Sequence, residues 1–463
     1  MLMITIKTDS RKVVLGDTFV ALRGIRTDGH DYIKDAIENG AKKIVCEEGK
    51  YSVSTLVVPD TRAYLNQLLQ VTYNETFKKI KIIGVTGTNG KTTVTHLLRE
   101  SLNKVGIKCA SIGTLGFYVG SNLVEDLENS TPDLCDLYEY ISRAIDLKCK
   151  YLVMEVSSHA LMNGRVETIE FSHAIFTNLT QDHLDFHVTM QNYVMAKQCL
   201  FKKVKPSGLA IVNMDDSMST NFLLPTNHNI TFGYGDAMFK ILSEELGQHE
   251  TKFTFSYQQN VYEVHTKLVG KYNIYNMMPV LIFLMCIGIE PVKILKVIYS
   301  LTPPEGRFEV IPYKNNQIIV DYAHTPDAVI KVIETAKLWA KGNIYVVFGC
   351  TGERDRLKRP IMARIVSEQA TRFIITEDDL YYEDFEQIKN DMLLGVTKNN
   401  YEVILDRKEA IIQGISYLKE NDALLILGKG HEDMLKIREK RLPFNDKEVV
   451  LSYLQNDLNY TNK

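Results

Sequence analysis

The stretch Gly84 to Leu98 reads GVTGTNGKTTVTHLL, with glycines at 84, 87 and 90 ahead of Lys91-Thr92-Thr93. Glycine lets backbone N–H groups approach phosphate oxygens with no Cβ in the way. The start of a following helix adds about half a positive charge, and Lys91 adds a whole one. Gly87, Thr88, Asn89, Gly90, Lys91, Thr92 and Thr93 therefore read as a phosphate-binding loop, with the Thr92 hydroxyl able to face Mg²⁺. The common spacing Gly-x-x-x-x-Gly-Lys-[Ser/Thr] would put a glycine at position 85, where this chain has Val85. The chemistry is that of a phosphate loop; the spacing is not the usual one.

Other stretches carry groups that could act beside it. Glu155, in YLVMEVSSHAL, lies near the end of an apolar strand, where a doubly wound sheet opens its ligand crevice. A carboxylate is costly to bury unpaired, so a metal or cationic partner is expected; a strand-end acid in a surface pair explains it equally well. TNLTQDHLDFH gathers Asp182, His183, Asp185 and His187 with no cysteine, a set that suits a hard cation better than zinc. Lys197, in QNYVMAKQCLF, reads from spacing alone as a solvated lysine on an amphipathic helix. Arg354, Lys358 and Arg359 cluster near a turn in FGCTGERDRLKRP, where arginine could grip carboxylates bidentately. A surface charge run is the simpler reading of each. GRFEV, DYAHTPDA and GKGHED also fall at strand ends or turns.

The elements that must position these groups fall into three regions, in line with a length of 463 residues. From Met1 to Phe77, the runs DTFVAL, AKKIVCEE and STLVVPD alternate with turns and one helical segment. Polar VTYNETFKK is expected to link this region to the next. From Lys78 to Pro303, the strands KIIGV, KCASIGTL, KYLVMEV, HAIFTNL and GLAIVNM alternate with helices, and their continuous apolar runs imply a parallel sheet covered on both faces. After the turn in TPPEGRFEV, the strands QIIVDYA, NIYVVFG, RFIITED, YEVILD and DALLILG form a second doubly wound α/β unit over 304–463.

Composition excludes several classes. A net charge of −3 offers no basic surplus for nonspecific nucleic-acid binding. Seven dispersed cysteines without a Cys-x-x-Cys pair read as reduced thiols of a cytoplasmic protein. MLMITIKTDSRK meets charge by Lys7, too early for a signal peptide. The most apolar window, MMPVLIFLMCIGI, falls short of the ~18 residues a membrane span needs and reads as a buried helix.

Taken together, TDSR, GTNGKTT, STP, EVSSHAL, TNLTQDHLDFH, YVMAKQCLF, GKYNIYN, GRFE, DYAHTPD, GERD and GKGHE resemble, in order, the motifs of the Mur ligases. These ATP-dependent enzymes build the peptide stem of bacterial cell-wall precursors, and the branch most similar is the UDP-N-acetylmuramoyl-tripeptide synthetases. The loop spacing resembles the form that family shares with folylpolyglutamate synthetases. The resemblance implies three domains: a small N-terminal α/β domain, a central ATPase-like parallel-sheet domain and a C-terminal Rossmann-like domain. It implies that ATP phosphorylates the D-glutamate carboxylate of UDP-MurNAc-L-Ala-D-Glu and that an amine attacks the acyl phosphate. Lys91 would hold the β/γ-phosphates, and Thr92, Glu155 and His183 would ligate Mg²⁺, two ions being expected. Lys197 matches the lysine that family members carboxylate with CO₂, a carbamate able to hold the second ion. Asn276, Arg307 and Asp321 fall where the family contacts the nucleotide. Ser10, Ser130, Thr131, Ser157 and Arg165 fall where it holds the muramoyl substrate, with Asn163 where glutamine is usual. The match begins almost at once with TDSR, implying a more open uridine pocket. A monomer without membrane insertion is expected.

The third amino acid is read from residues 377–381. Family members that use meso-diaminopimelate resemble Asp-Asn-Pro-Arg where this chain has Asp378-Asp379-Leu380-Tyr381. Losing that arginine, a charged hydrogen bond, costs about 1.5–3 kcal/mol. Glu377, Asp378 and Asp379 suit an ammonium tip, so L-lysine or ornithine is favoured, with meso-diaminopimelate the alternative. Gly428 and Glu432 match the diaminopimelate-type motif, although Glu432 could pair a distal amine of either substrate. Arg354 would bind the α-carboxylate. The rivals are a paralogous folylpolyglutamate-type ligase and an inactive nucleotide-binding homologue.

Overall fold

The computed structural model describes residues 6–24, 27–226 and 228–461. Residues 1–5, the start of the segment read against a signal peptide, lie outside the described residues. The chain forms two compact units: Met1–Thr86, Leu102–Ala174 and Cys199–Leu209 in the first; Gly87–Ser101, Ile175–Gln198 and Ala210–Lys463 in the second.

In the first unit, strands Ile6–Lys7, Thr18–Val20, Lys43–Cys46 and Ser54–Val57 pair in chain order, all parallel. Phe19, Ala21, Ile44 and Cys46 pack with Ile33 and Ala36 of helix Ile33–Glu38. Helix Thr61–Phe77 starts on Asp60, whose carboxylate accepts the Ala63 N–H at 2.9 Å. VTYNETFKK is thus no linker: most of it is the end of this helix. Leu65, Leu69 and Tyr73 are buried at four-residue intervals, and Tyr73 and Phe77 pack on Tyr138 at ring distances of 5.4 and 4.6 Å. Two aromatic anchors outweigh the polar residues between them.

A larger sheet runs in the order Lys81–Thr86, Tyr151–Glu155, Cys109–Gly113, Gly116–Val119, Asn122–Glu125. Its first three strands are parallel and buried almost throughout, as their unbroken apolar runs demand. The last two are antiparallel edges that the sequence reading lacked.

In the second unit, Asn229–Gly233 pairs parallel with Val204–Asn213. Phe239–Leu246, Thr251–Tyr257 and Asn260–Thr266 follow as an antiparallel meander, also unanticipated. MMPVLIFLMC closes helix Lys271–Cys286, in which Met277 to Leu284 are all buried, as expected for a core helix. The C-terminal sheet has the order Glu309–Tyr313, Asn316–Asp321, Ala423–Leu427, Ile344–Phe348, Arg372–Ile375, Tyr401–Val403. All its pairings are parallel except that of the first strand. Alternate residues face opposite layers: Ile319, Val346 and Leu425 meet Val329, Ile333 and Met362, whereas Ile318, Val347 and Leu424 meet Ala410, Ile411 and Val450. This is the doubly wound unit read from the sequence.

All seven cysteines are free. Among the described residues, no helix is long and apolar enough to cross a membrane.

Candidate active site

The phosphate loop leaves strand Lys81–Thr86 and enters helix Lys91–Lys104. Gly90 has φ +87°, and a Cβ there would collide with the Asn276 amide oxygen; a Cβ on Gly87 would collide with the Thr177 hydroxyl. Only glycine fits either place. The loop is held from the TNLTQDH stretch, a role that sequence reasoning missed. The Asn178 carbonyl accepts the Thr88 N–H at 2.8 Å and its side chain accepts the Asn89 N–H at 2.9 Å. The Thr177 hydroxyl donates to the Asn89 carbonyl at 2.7 Å. Asn89 also donates to Asp327 at 2.9 Å. Lys91 Nζ donates to the Gly87 and Thr88 carbonyls at 2.9 and 2.8 Å. Thr92 and Thr93 are both buried at the start of the helix.

Lys197 overturns its reading as a solvated lysine. It is 1% exposed, donates to the Gly87 carbonyl at 2.7 Å and lies 4.6 Å over the Tyr193 ring. Burial, with the nearby Lys91 charge, pushes its pKa well below the ordinary lysine value. His183 has left-handed backbone (φ +56°) and sits 3.3 Å from Asp182. Burial alone would raise the Asp182 pKa, but Lys358 at 3.0 Å, His183 and His324 together hold it far below the carboxylate range.

Arg307 donates to the Thr92 hydroxyl at 3.2 Å and stacks 4.3 Å over Tyr322. Asp321 accepts the Phe308 N–H at 2.6 Å, and burial pushes its pKa up to about 6 despite Arg307. Asn276 donates to Asn273 at 3.0 Å. A cavity of about 330 Å³ opens here, lined by Asn273, Arg307, Phe308 and Trp339 among others. The nucleotide-facing candidates thus gather around the loop.

In the first unit, Glu155 is 1% exposed at its strand end. Its Oε1 accepts the Thr114 N–H at 2.7 Å and its Oε2 the Thr114 hydroxyl at 3.2 Å. Thr131 donates to the Glu155 carbonyl at 3.0 Å, and its hydroxyl accepts the Ser157 N–H at 3.1 Å. Ser157 caps the short helix Ser158–Met162, accepting the Ala160 N–H at 3.2 Å. Arg165 donates to the Thr131 carbonyl at 3.0 Å and pairs with Asp133 at 2.9 Å. Ser130 adjoins this group half-buried, and the Asn163 carbonyl meets Arg62 at 3.5 Å. Ser10 is buried in the 3₁₀ turn Ser10–Lys12, its carbonyl held by Asn39 at 3.0 Å, and Lys12 of that turn pairs with Asp136 at 2.6 Å.

The anion cluster expected of Arg354, Lys358 and Arg359 divides. Lys358 serves Asp182, and Arg359 is buried against Glu383 at 2.7 Å and Asp391 at 2.9 Å. Arg354 alone is exposed, 5.5 Å over the Tyr381 ring. The acidic pocket also differs from the reading that favoured an ammonium tip, because buried cations already face Asp378 and Asp379. Fully buried Lys429 bridges Asp379 and Glu432, both at 2.9 Å. Lys436 approaches Asp379 at 3.4 Å. Burial would raise the Asp378 pKa, but Lys429 and Arg407 keep it below the ordinary value. Gly428 has φ +113°, and a Cβ there would stand 2.6 Å from an Asp378 oxygen. These partners are remote in sequence, so no local pattern revealed them.

Fold and site define a phosphate-loop α/β enzyme. Family models match along the chain: "Mur ligase family, catalytic domain" at residues 4–74, "Mur ligase middle domain" at 85–284 and "Mur ligase, glutamate ligase domain" at 306–430. A UDP-N-acetylmuramoyl-L-alanyl-D-glutamate--2,6-diaminopimelate ligase of Clostridium botulinum is 39% identical, covering 96% of this chain and 94% of its own. The ligase of the same name from Bacillus cereus is 39% identical over 98% of this chain and 94% of its own. A solved structure of a protein so named aligns with TM-score 0.66 and 30% identity over 98% of this chain and 95% of that one. The MurF ligase of Thermotoga maritima, solved with ADP, shares the fold at TM-score 0.72 and 19% identity, with both chains fully covered. The chain belongs to the Mur ligase family, the ATP-dependent ligases of peptidoglycan synthesis, and has their three-domain α/β architecture. Within it the chain is of the tripeptide-synthetase type, which extends UDP-MurNAc-L-Ala-D-Glu by the third amino acid.

Proposed function

We propose that the third amino acid is 2,6-diaminopimelate, added in the cytoplasm by a monomeric enzyme with domains over 1–77, 78–303 and 304–463. The observation that carries this reading is the charge balance of the pocket at Asp378, Asp379 and Glu432. Lys429 pairs with Asp379 and Glu432, Lys436 approaches Asp379, and Lys429 and Arg407 hold the Asp378 pKa down. Two lysines set against three carboxylates thus cut the surplus that favoured lysine to a single charge. A zwitterionic distal end adds no net charge to such a pocket and meets an opposite charge with each of its ends. The relatives' names agree, so diaminopimelate displaces lysine as the favoured substrate.

The phosphate loop binds ATP through its glycines, the helix start and Lys91, with Asn276, Arg307 and Asp321 around the nucleoside. Phosphoryl transfer to the D-glutamate carboxylate needs aligned groups and neutralised charge more than covalent help. Thr92, Glu155 and His183 are the proposed ligands of Mg²⁺, which when bound neutralises phosphate charge. Lys197 is suited to take up CO₂, since a buried amine held neutral is the nucleophilic form. Its carbamate would be a further metal ligand. Ser10, Ser130, Thr131, Ser157, Asn163 and Arg165 are assigned to the muramoyl substrate. Arg354 is assigned to the α-carboxylate of the incoming amino acid.

Phosphate release from ATP with Mg²⁺ tests the reading. It should require both UDP-MurNAc-L-Ala-D-Glu and diaminopimelate. Release that depends instead on a folate, or no release with any amino acid, would overturn it.

A further inference from the structure

We propose that Lys436 is the specificity-determining cation of the third-amino-acid pocket, gripping the distal carboxylate of diaminopimelate. The inference rests on the reading above that this pocket receives the incoming amino acid. The distal end of diaminopimelate carries an ammonium and a carboxylate, whereas that of lysine carries the ammonium alone. A pocket that separates them must offer a cation with unused hydrogen-bonding capacity.

The cations near Asp379 can be sorted by that test. Lys429 is completely enclosed, with Asp379 and Glu432 both at 2.9 Å, so it is an internal counterion. Arg407 is equally enclosed and paired with Asp446 at 2.7 Å. Lys436 is different. Its side chain is 34% exposed, and its nearest carboxylate, Asp379, stands at 3.4 Å, beyond good hydrogen-bond length. An ammonium has three donors, so Lys436 can donate to a second carboxylate.

Its position is fixed by backbone. The Lys436 N–H donates to Asp379 at 3.0 Å and its carbonyl accepts the Tyr381 N–H at 3.1 Å. Tyr381, held left-handed at φ +49°, in turn accepts the Arg438 N–H at 2.7 Å. The strand Met434–Ile437 and the loop at Asp379–Tyr381 therefore form one backbone support for Lys436, whose side chain stays partly exposed. Glu432, on the same pocket, can meet the distal ammonium. The two ends of the zwitterion thus each find an opposite charge.

Steady-state kinetics of full-length Lys436→Met tests this. The KM for diaminopimelate should rise about ten- to a hundredfold, as expected for loss of one charged hydrogen bond. The KM for ATP and any turnover of L-lysine should stay at wild-type values. Lys436→Arg should keep the KM for diaminopimelate within a few-fold, and Tyr381→Arg added to Lys436→Met should recover much of the loss from the neighbouring position. An unchanged KM for diaminopimelate in Lys436→Met overturns the proposal, as does an equal rise in the KM for ATP. A wild-type enzyme that ignores diaminopimelate overturns the substrate reading itself and is distinguished by needing no variant.

Discussion

The phosphate loop and the amino-acid pocket both lie in the second unit, and both bury lysines, yet their charge is arranged in opposite ways. At the loop, Lys91 and Lys197 spend their hydrogen bonds on the carbonyls of Gly87 and Thr88. At the pocket, Lys429 and Lys436 meet carboxylates. Carbonyl oxygens carry no net charge, so these contacts leave the Lys91 charge and the helix start to meet phosphates, while burial holds Lys197 towards its neutral form. The ion pairs of Lys429 cancel its charge, and Lys436, half-buried and 3.4 Å from Asp379, leaves the pocket suited to a ligand that brings both signs. The same residue type serves two ligands because its partners differ.

The largest effect should come from breaking the loop side. Lys197→Met keeps the volume but removes the amine, and turnover should fall by at least about a hundredfold. High CO₂ should not restore it, and the melting temperature should hold or rise because an amine that burial disfavours is replaced by an apolar side chain. Full activity in this variant would remove the carbamate from the mechanism. On the pocket side, Asp446→Ala leaves the Arg407 guanidinium buried without its carboxylate. Denaturant unfolding should show a loss of about 3–5 kcal/mol; a near-neutral effect would mean that the pair does not hold the pocket.

Asp321 sharpens the contrast through pH. Its folded pKa of about 6 lies above the unfolded value of about 3.9, so the native state holds the proton more tightly. Its contribution to stability is present below pH ~4 and lost as pH rises through 6. Asp321→Asn should therefore gain about 2–3 kcal/mol at pH 8 relative to pH 4 in the nucleotide-free enzyme. A pH-independent difference in melting would contradict this. The smallest effect is expected outside both regions. Arg11, 82% exposed and paired with Asp9, should cost less than about 1 kcal/mol on replacement by alanine. A larger loss by the same unfolding measurement would mean that exposed pairs matter here as buried ones do.

Much of this was legible in the sequence where chemistry and placement are local. The glycines, Lys91 and Thr92 are contiguous, and the parallel strands announce themselves as apolar runs. What stayed hidden depends on distant partners. Lys197 is buried by Gly87, 110 residues away, while its own helix pattern looks solvated. Asp379 is neutralised by Lys429 and Lys436, 50 and 57 residues on, so three neighbouring acids looked like an unpaired cluster. The meander Phe239–Thr266 did carry a signal, apolar residues at alternate positions such as Phe239 and Ile241 or Phe253 and Phe255, but its polar content masked it beside the fully apolar core strands.

The most direct test of the central claim is one competition. The enzyme is given ATP, Mg²⁺ and UDP-MurNAc-L-Ala-D-Glu with equal meso-diaminopimelate and L-lysine, and the product is weighed by mass spectrometry. The largely paired pocket, with Lys436 open to a carboxylate, predicts a product carrying diaminopimelate, with lysine a minor species. A product carrying mainly lysine would contradict it.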